Sequence, residues 1–397
     1  MPYCKSSICS FLKYIMLNHN QEKRMVNWQQ NNLMRQRHII SNRHYGDNII
    51  YIEGKHCLNF ASNDYLGLVQ HPDINAAMID GIKQYGVGSG ASAMVAGYFN
   101  EHDSIEREFA QWLGCERAIL FNSGYLANIG VMTALLGRDD TVISDKLCHA
   151  SLLDGIQLSR AKHYRYQHND VAHLQKIACK ANPNMIVSEN IFSMQGNIAP
   201  IAELIAVAEQ HQAGLVIDDA HGIGVLGCDG RSISEYKSKL LCMVMPLGKA
   251  FNSMGAIVAG DSKIIESILQ FSRSYIYSTA LPPTLCYALR ATLQIIQKET
   301  WRRDALNDNI DFFNEEALAR KLPLVSMNKT PIRVFILGDN KKVIWLQEQL
   351  LKQGIYVAAI RPPTVSQNSA CLRISLNSLH AKKEIIFLLD KISEYYL

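Results

Sequence analysis

The stretch Gly214-Leu215-Val216-Ile217-Asp218-Asp219-Ala220-His221-Gly222 decides the fold. Three aliphatic residues in a row, entered from glycine and left through two carboxylates, read as a short strand buried on both faces. Four more runs have this form: Ala118-Ile119-Leu120-Phe121, Thr141-Val142-Ile143, Met185-Ile186-Val187 and Cys242-Met243-Val244-Met245. Helix-like stretches separate them, so residues from about 105 to 260 predict an α/β domain with a mostly parallel central sheet and helices on both faces. Further along, Pro282-Pro283 opens a long helical pattern to about Thr300, and a mixed remainder ends in Cys371-Leu372-Arg373-Ile374-Ser375-Leu376 and a last helix. That tail predicts a smaller α+β domain. The expected division is a poorly ordered extension over 1–24, an N-terminal segment over 25–64 with a polar helix from Val26, a large domain over 65–283 and a small one over 284–397. There is no internal repeat and no low-complexity tract.

Bulk properties exclude several classes of function. The chain has 397 residues, room for about two domains, and its 40 Lys and Arg are scattered among 36 Asp and Glu, which argues against nucleic acid as a partner. Ten cysteines stand apart, with no Cys-x-x-Cys pair and no histidines at zinc spacing. Neither a disulfide framework nor a structural metal is expected, and a reducing cytoplasm fits. Ile8 to Leu17 is interrupted by Lys13 and is shorter than the roughly 20 apolar residues of a membrane span. The polar residues after it offer no cleavage site, so no membrane association is expected.

In open α/β sheets ligands bind beyond the carboxyl ends of the strands. The residues there are Ser123-Gly124-Tyr125, Asp145 to His149, Glu189 to Ser193, Asp218 to His221, and Gly248-Lys249. Lysines are ordinarily solvated, but Lys249 follows an apolar strand and precedes Ala250-Phe251, which places its amine in a partly desolvated pocket. Burial lowers its pKa, and the neutral amine can attack an aldehyde or take a proton from carbon. Asp218, otherwise a helix cap, suits a carboxylate that keeps a pyridine nitrogen protonated and so makes the ring an electron sink. His221 can then bond the ring's phenolic oxygen and His149 can lie on its face. Ser123-Gly124-Tyr125 opens a helix over Ala127 to Leu136, and a helix N-terminus is suited to phosphate. Gly222-Ile223-Gly224-Val225-Leu226-Gly227 has the spacing of a dinucleotide fingerprint, but Asp218 to His221 separate it from its strand and Cys228-Asp229-Gly230 reads as a turn where a helix is required.

From about residue 28 to the end the chain resembles the α-oxoamine synthases, a family of fold-type I pyridoxal-phosphate enzymes. The resemblance is carried by Asn59-Phe60-Ala61-Ser62-Asn63-Asp64-Tyr65-Leu66-Gly67-Leu68, Phe192-Ser193-Met194, Asp218-Asp219-Ala220-His221-Gly222, Leu247-Gly248-Lys249 and Tyr277-Ser278-Thr279. Ala359-Ile360-Arg361-Pro362-Pro363-Thr364-Val365 is similar to the version in the biotin-pathway member, where glycine-using relatives differ. The resemblance implies that Lys249 carries pyridoxal 5'-phosphate, Asp218 pairs with its ring nitrogen, His149 stacks on the ring, and Ser193 and His221 bond its polar edge. Gly124 and Tyr125 match the phosphate turn, and Thr279 a residue supplied to the phosphate across a homodimer interface. Arg35 and Thr364 match acyl-substrate contacts, and Arg373 the arginine that holds the amino-acid carboxylate. The implied reaction joins L-alanine to a pimeloyl thioester, of coenzyme A or acyl carrier protein, with loss of carbon dioxide. The alternatives are a glycine-using relative, or a catalytically silent partner subunit that keeps the fold. Three positions depart from the family pattern: Pro246 replaces a threonine, Gln195 an aspartate and Asn252 a glycine. They predict weaker retention of the cofactor.

Overall fold

The computed structural model describes residues 19–43 and 46–396. It opens on a helix, His19–Gln30, which starts before the expected Val26 because Gln21 to Arg24 are all good helix formers. The rest of the expected extension lies outside the described residues. An outer sheet follows: β1 (Ile40–Arg43), β2 (Ile49–Ile52) and β3 (Lys55–Asn59), successively antiparallel.

The central sheet contains β4 (Arg117–Phe121), β5 (Thr141–Asp145), β6 (Lys162–Tyr166), β7 (Met185–Glu189), β8 (Gly214–Asp218), β9 (Cys242–Pro246) and β10 (Ala256–Gly260), in the order β4-β10-β9-β8-β7-β5-β6. All five aliphatic runs are strands in it. Alternation along them feeds two cores: Ile143, Ile186, Ile217, Met243 and Ile257 pack on one face, and Val142, Val187, Val216, Val244 and Val258 on the other. Each such fully buried side chain contributes roughly 1.5–3 kcal/mol, which is why these strands need no polar face.

Two strands are additions to the sequence reading. β6, Lys162-His163-Tyr164-Arg165-Tyr166, lies at the edge of the sheet, where its half-exposed polar residues carry no aliphatic signal. β10 is antiparallel to both β9 and β4, an exception to the parallel strands expected. Only residues 247–255 join β9 to β10, fewer than the dozen or so that a parallel crossover needs.

After the helices Pro283–Lys298 and Trp301–Ala319, the remaining chain forms β11 (Ile332–Gly338), β12 (Ile355–Tyr356), β13 (Ala358–Ile360) and β14 (Ala370–Ser375). The small sheet runs β11-β14-β13, while β12 adds in parallel to β3, so the two ends of the chain share the outer sheet. The final helix is Lys382–Tyr396. Among the described residues no helix is long and apolar enough to cross a membrane.

Candidate active site

β9, β8, β7 and β5 lie side by side, and their carboxyl ends build one wall of a cleft. Lys249 stands on the loop after β9. Leu247 N donates to Gly255 O (2.9 Å) to close that loop, and Asn252 N donates to Lys249 O (2.8 Å) to turn it. Asn252 has φ 45°, a left-handed conformation that asparagine tolerates better than most residues, so this departure keeps the turn a glycine would make. Burial lowers the pKa of Lys249, against the charges of Asp218 and Glu189, which raise it. The neutral amine is thereby made more available.

Asp218 ends β8 and is 4% exposed. Its Oδ1 accepts from Ala220 N (2.9 Å) and its Oδ2 from Asn128 Nδ2 (2.6 Å). Glu189 ends β7 directly beside it in register. Burial and the Asp218 charge hold the Glu189 pKa well above the usual carboxylate range.

The helix Gly124–Leu135 points its N-terminus into the cleft. Ser123 caps it by accepting from Leu126 N (3.3 Å), and the amides of Gly124 and Tyr125, in the first turn, have no intrahelical acceptor. Gly124 is required here, because a Cβ on it would come within 2.4 Å of Pro246 Cγ. His149 caps the next helix, Ala150–Ser159, and its ring meets Tyr125 edge-on at 6.4 Å between centroids. Surrounding protein lowers its pKa, with Lys249 adding to this and Asp218 opposing it.

Facing this wall, Arg373 on β14 is 5% exposed. It donates to Ser193 O (2.7 Å), Ser375 Oγ (3.0 Å) and, through both terminal nitrogens, Asn63 Oδ1 (3.2 and 3.1 Å). His221 Nδ1 lies 2.6 Å from the buried Tyr65 hydroxyl. Burial, then Lys249 and Arg373, hold the His221 pKa well below its ordinary value, so the ring is neutral.

The cleft thus brings together Lys249, Asp218, His149, His221, Ser193, Arg373 and the Gly124-Tyr125 turn. Arg35 and Thr364 line a different space, a cavity of about 410 Å³ also bounded by Met34, Gln347, Tyr356 and Ala358. The two spaces adjoin through β13, since Ala358 pairs with Arg373. Arg361 fixes the cavity's N-terminal wall by donating to Asn32 O (2.6 Å) and Met34 O (3.2 Å). Thr279 stands apart from the cleft residues. Its side chain is exposed, and its carbonyl accepts from Asn122 Nδ2 at 2.5 Å. Sequence reasoning assigned no role to Asn128, Tyr65 or Asn63; Tyr65 and Asn63 fall in a quoted motif, but Asn128 is marked only by being a polar residue in the apolar run Ala127 to Leu136.

A family profile, aminotransferase class I and II, matches residues 55–392. The chain belongs to the aminotransferase class I and II family. The 8-amino-7-oxononanoate synthase of Nitrosococcus oceani is 43% identical over 349 residues, covering 86% of this chain and 92% of that protein. That of Francisella tularensis, a crystal structure, is 36% identical with a TM-score of 0.76, over 86% of this chain and 98% of the other. Serine palmitoyltransferase from S. paucimobilis, solved with a PLP–myriocin adduct, is 26% identical with a TM-score of 0.89, over 95% and 96% of the two chains. Within this aminotransferase family the chain is a fold-type I, pyridoxal-phosphate-dependent acyltransferase of the 8-amino-7-oxononanoate synthase kind. Its donor set fits the cofactor: an amine for the aldehyde, a buried carboxylate for the ring nitrogen, a helix N-terminus for the phosphate and a neutral histidine for the phenolic oxygen.

Proposed function

We propose that the cleft condenses L-alanine with a pimeloyl thioester to give 8-amino-7-oxononanoate, carbon dioxide and a free thiol. The observation that carries this reading is the meeting of a desolvated lysine, a buried carboxylate and a buried arginine in one cleft, beside a cavity lined by Arg35. Bound pyridoxal phosphate supplies an electron sink that lets the alanine α-carbon give up its proton. Lys249 would hold the cofactor through its amine, and the same amine, when free, would take that proton at Nζ. Asp218 would keep a proton on the ring nitrogen. Arg373 would offer a planar guanidinium to the alanine carboxylate. Ser193 and His221 would bond the phenolic oxygen, and the amides of Gly124 and Tyr125 would take the phosphate. His149 would cover the ring face. Arg35 and Thr364 position the acyl chain so that its thioester carbonyl carbon meets the α-carbon. The new carbon–carbon bond forms, the carbon–sulfur bond breaks and the thiol leaves. The alanine carboxyl then departs as carbon dioxide, and a proton returns to the α-carbon.

The working unit in this reading is a cytoplasmic homodimer in which Thr279 of each chain reaches the other's phosphate site. Residues 65–283 form its large domain and 284–397 its small one. Product analysis with alanine, glycine or serine against pimeloyl, acetyl, succinyl and palmitoyl thioesters tests the reading. Alanine with pimeloyl is expected to dominate; a preference for glycine or serine would refute it.

A further inference from the structure

Both histidines that face the cleft are held from behind. His149 Nδ1 lies 2.7 Å from Ser151 Oγ and 3.3 Å from the Ser151 backbone nitrogen. A backbone N–H can only donate, so Nδ1 is the acceptor, and the Ser151 hydroxyl proton points to it as well. The Ser151 oxygen is free to do so, because it accepts in turn from Asn128 Nδ2 at 2.9 Å. That same Nδ2 donates its other proton to Asp218 Oδ2 at 2.6 Å, so Asn128 is the donor to both neighbours and the Ser151 proton is left for the histidine.

Behind His221 stands Tyr65, whose ring has no exposure. Its single hydroxyl proton has two candidate acceptors, His221 Nδ1 at 2.6 Å and Asn63 Oδ1 at 3.1 Å. Asn63 Oδ1 already receives two N–H groups of Arg373, which occupy its two lone pairs. The shorter contact, 2.6 against 3.1 Å, and the two N–H groups already on Asn63 Oδ1 favour donation of the tyrosine proton to His221, with Nδ1 of this ring an acceptor too. A neutral imidazole whose Nδ1 accepts carries its proton on Nε2. Neither Nε2 has a hydrogen-bond partner among the described residues.

We propose that both cleft histidines are locked as Nε2–H tautomers, His149 by the amide and hydroxyl of Ser151 and His221 by Tyr65, so that the cleft presents two N–H donors to incoming oxygen atoms. Tyr65 is then a positioning residue: it touches neither cofactor nor substrate, and acts through His221. A His149 with its proton already on the cleft side is not a base at rest, which leaves the α-proton to Lys249. That these oxygens are the cofactor's and the substrate's rests on the function proposed above; the tautomers do not.

Long-range ¹H–¹⁵N correlation spectra of the full chain, labelled at histidine nitrogens, read the tautomers directly, both as purified and after saturation with pyridoxal phosphate. His149→Asn and His221→Asn identify the two signals. Both wild-type rings are expected to show a bare Nδ1 and a protonated Nε2. Tyr65→Phe should convert His221 to a mixture of tautomers and leave His149 unchanged. A protonated Nδ1 in either wild-type ring overturns the proposal, and this arm does not depend on how the variant folds. A Tyr65→Phe spectrum identical to wild type removes Tyr65 from the role. Nε2–H tautomers in a protein that does not turn over alanine would support the lock while sinking the reaction.

Discussion

Asp218 and Asp219 are neighbours in the chain with opposite electrostatic tasks. In the proposed reaction Asp218 is the carboxylate that faces the ring nitrogen and keeps it protonated, so Asp218→Asn should preserve the fold yet slow exchange of the alanine α-proton. Stabilising developing charge in a site is commonly worth a few kcal/mol, so the expected loss is about a hundredfold or more. Deuterium exchange followed by NMR checks this, and a loss under fivefold would remove the assigned role. Asp219 points the other way, into Asn190 and Ser232, both of which donate to its Oδ1 (2.7 and 2.9 Å). Burial pushes its pKa up to about 7 in spite of these donors. The folded chain therefore binds this proton more tightly than the unfolded one. The stability it contributes is fully present below the ordinary carboxylate range and is lost as pH rises through about 7. Glu106, also raised to about 7, adds to the same slope. The melting temperature should fall between about pH 5 and 8, and fall less in Asp219→Asn, which carries no titrating proton there. Equal slopes in the two proteins would contradict the burial argument.

At the scale of elements, the end of β9 is packed against the start of the helix Gly124–Leu135. The ring of Pro246 fills the space over Gly124, at the position where the family pattern implied by the resemblance has a threonine, whose hydroxyl would reach the phosphate. Proline offers no donor there. A hydrogen bond to a charged group contributes roughly 1.5–3 kcal/mol, so Pro246→Thr should bind pyridoxal phosphate about tenfold to a hundredfold more tightly. Titration of the cofactor, followed by absorbance, measures this, and an unchanged affinity would mean that the lost bond is replaced elsewhere. Strand β9 was legible from Cys242 to Met245 because a buried strand needs only its own apolar run. The same holds for Lys249 and Asp218, which are marked by standing just past such runs. Strand β6 was not legible, because an edge strand is stabilised by one neighbour and can keep a polar sequence. Asn128 and Tyr65 were not legible for another reason. Their partners lie 90 and 156 positions away, at Asp218 and His221, and no local pattern spans such a separation. The direction of β10 follows from connection length rather than from any residue type.

At the scale of the whole molecule, Val87 and Val95 are 80% and 81% exposed and Tyr277 is 71% exposed. They stand on two segments joined by the Ser92–Thr279 bridge and by Ala280 N donating to Ala91 O (3.0 Å). Apolar side chains gathered this way form a surface that the homodimer proposed above would cover. Sedimentation velocity should give a dimer, and Val95→Asp should shift it toward monomer with loss of bound cofactor; an active monomer would contradict the shared phosphate site. The decisive measurement follows the carboxyl carbon of alanine. Protein saturated with pyridoxal phosphate is given L-alanine labelled with carbon-13 at that carbon, together with a pimeloyl thioester. One labelled carbon dioxide should appear for each thiol released, in wild type and not in Lys249→Ala, while a label retained in the product, or release that survives the loss of Lys249, would contradict decarboxylative condensation at this lysine.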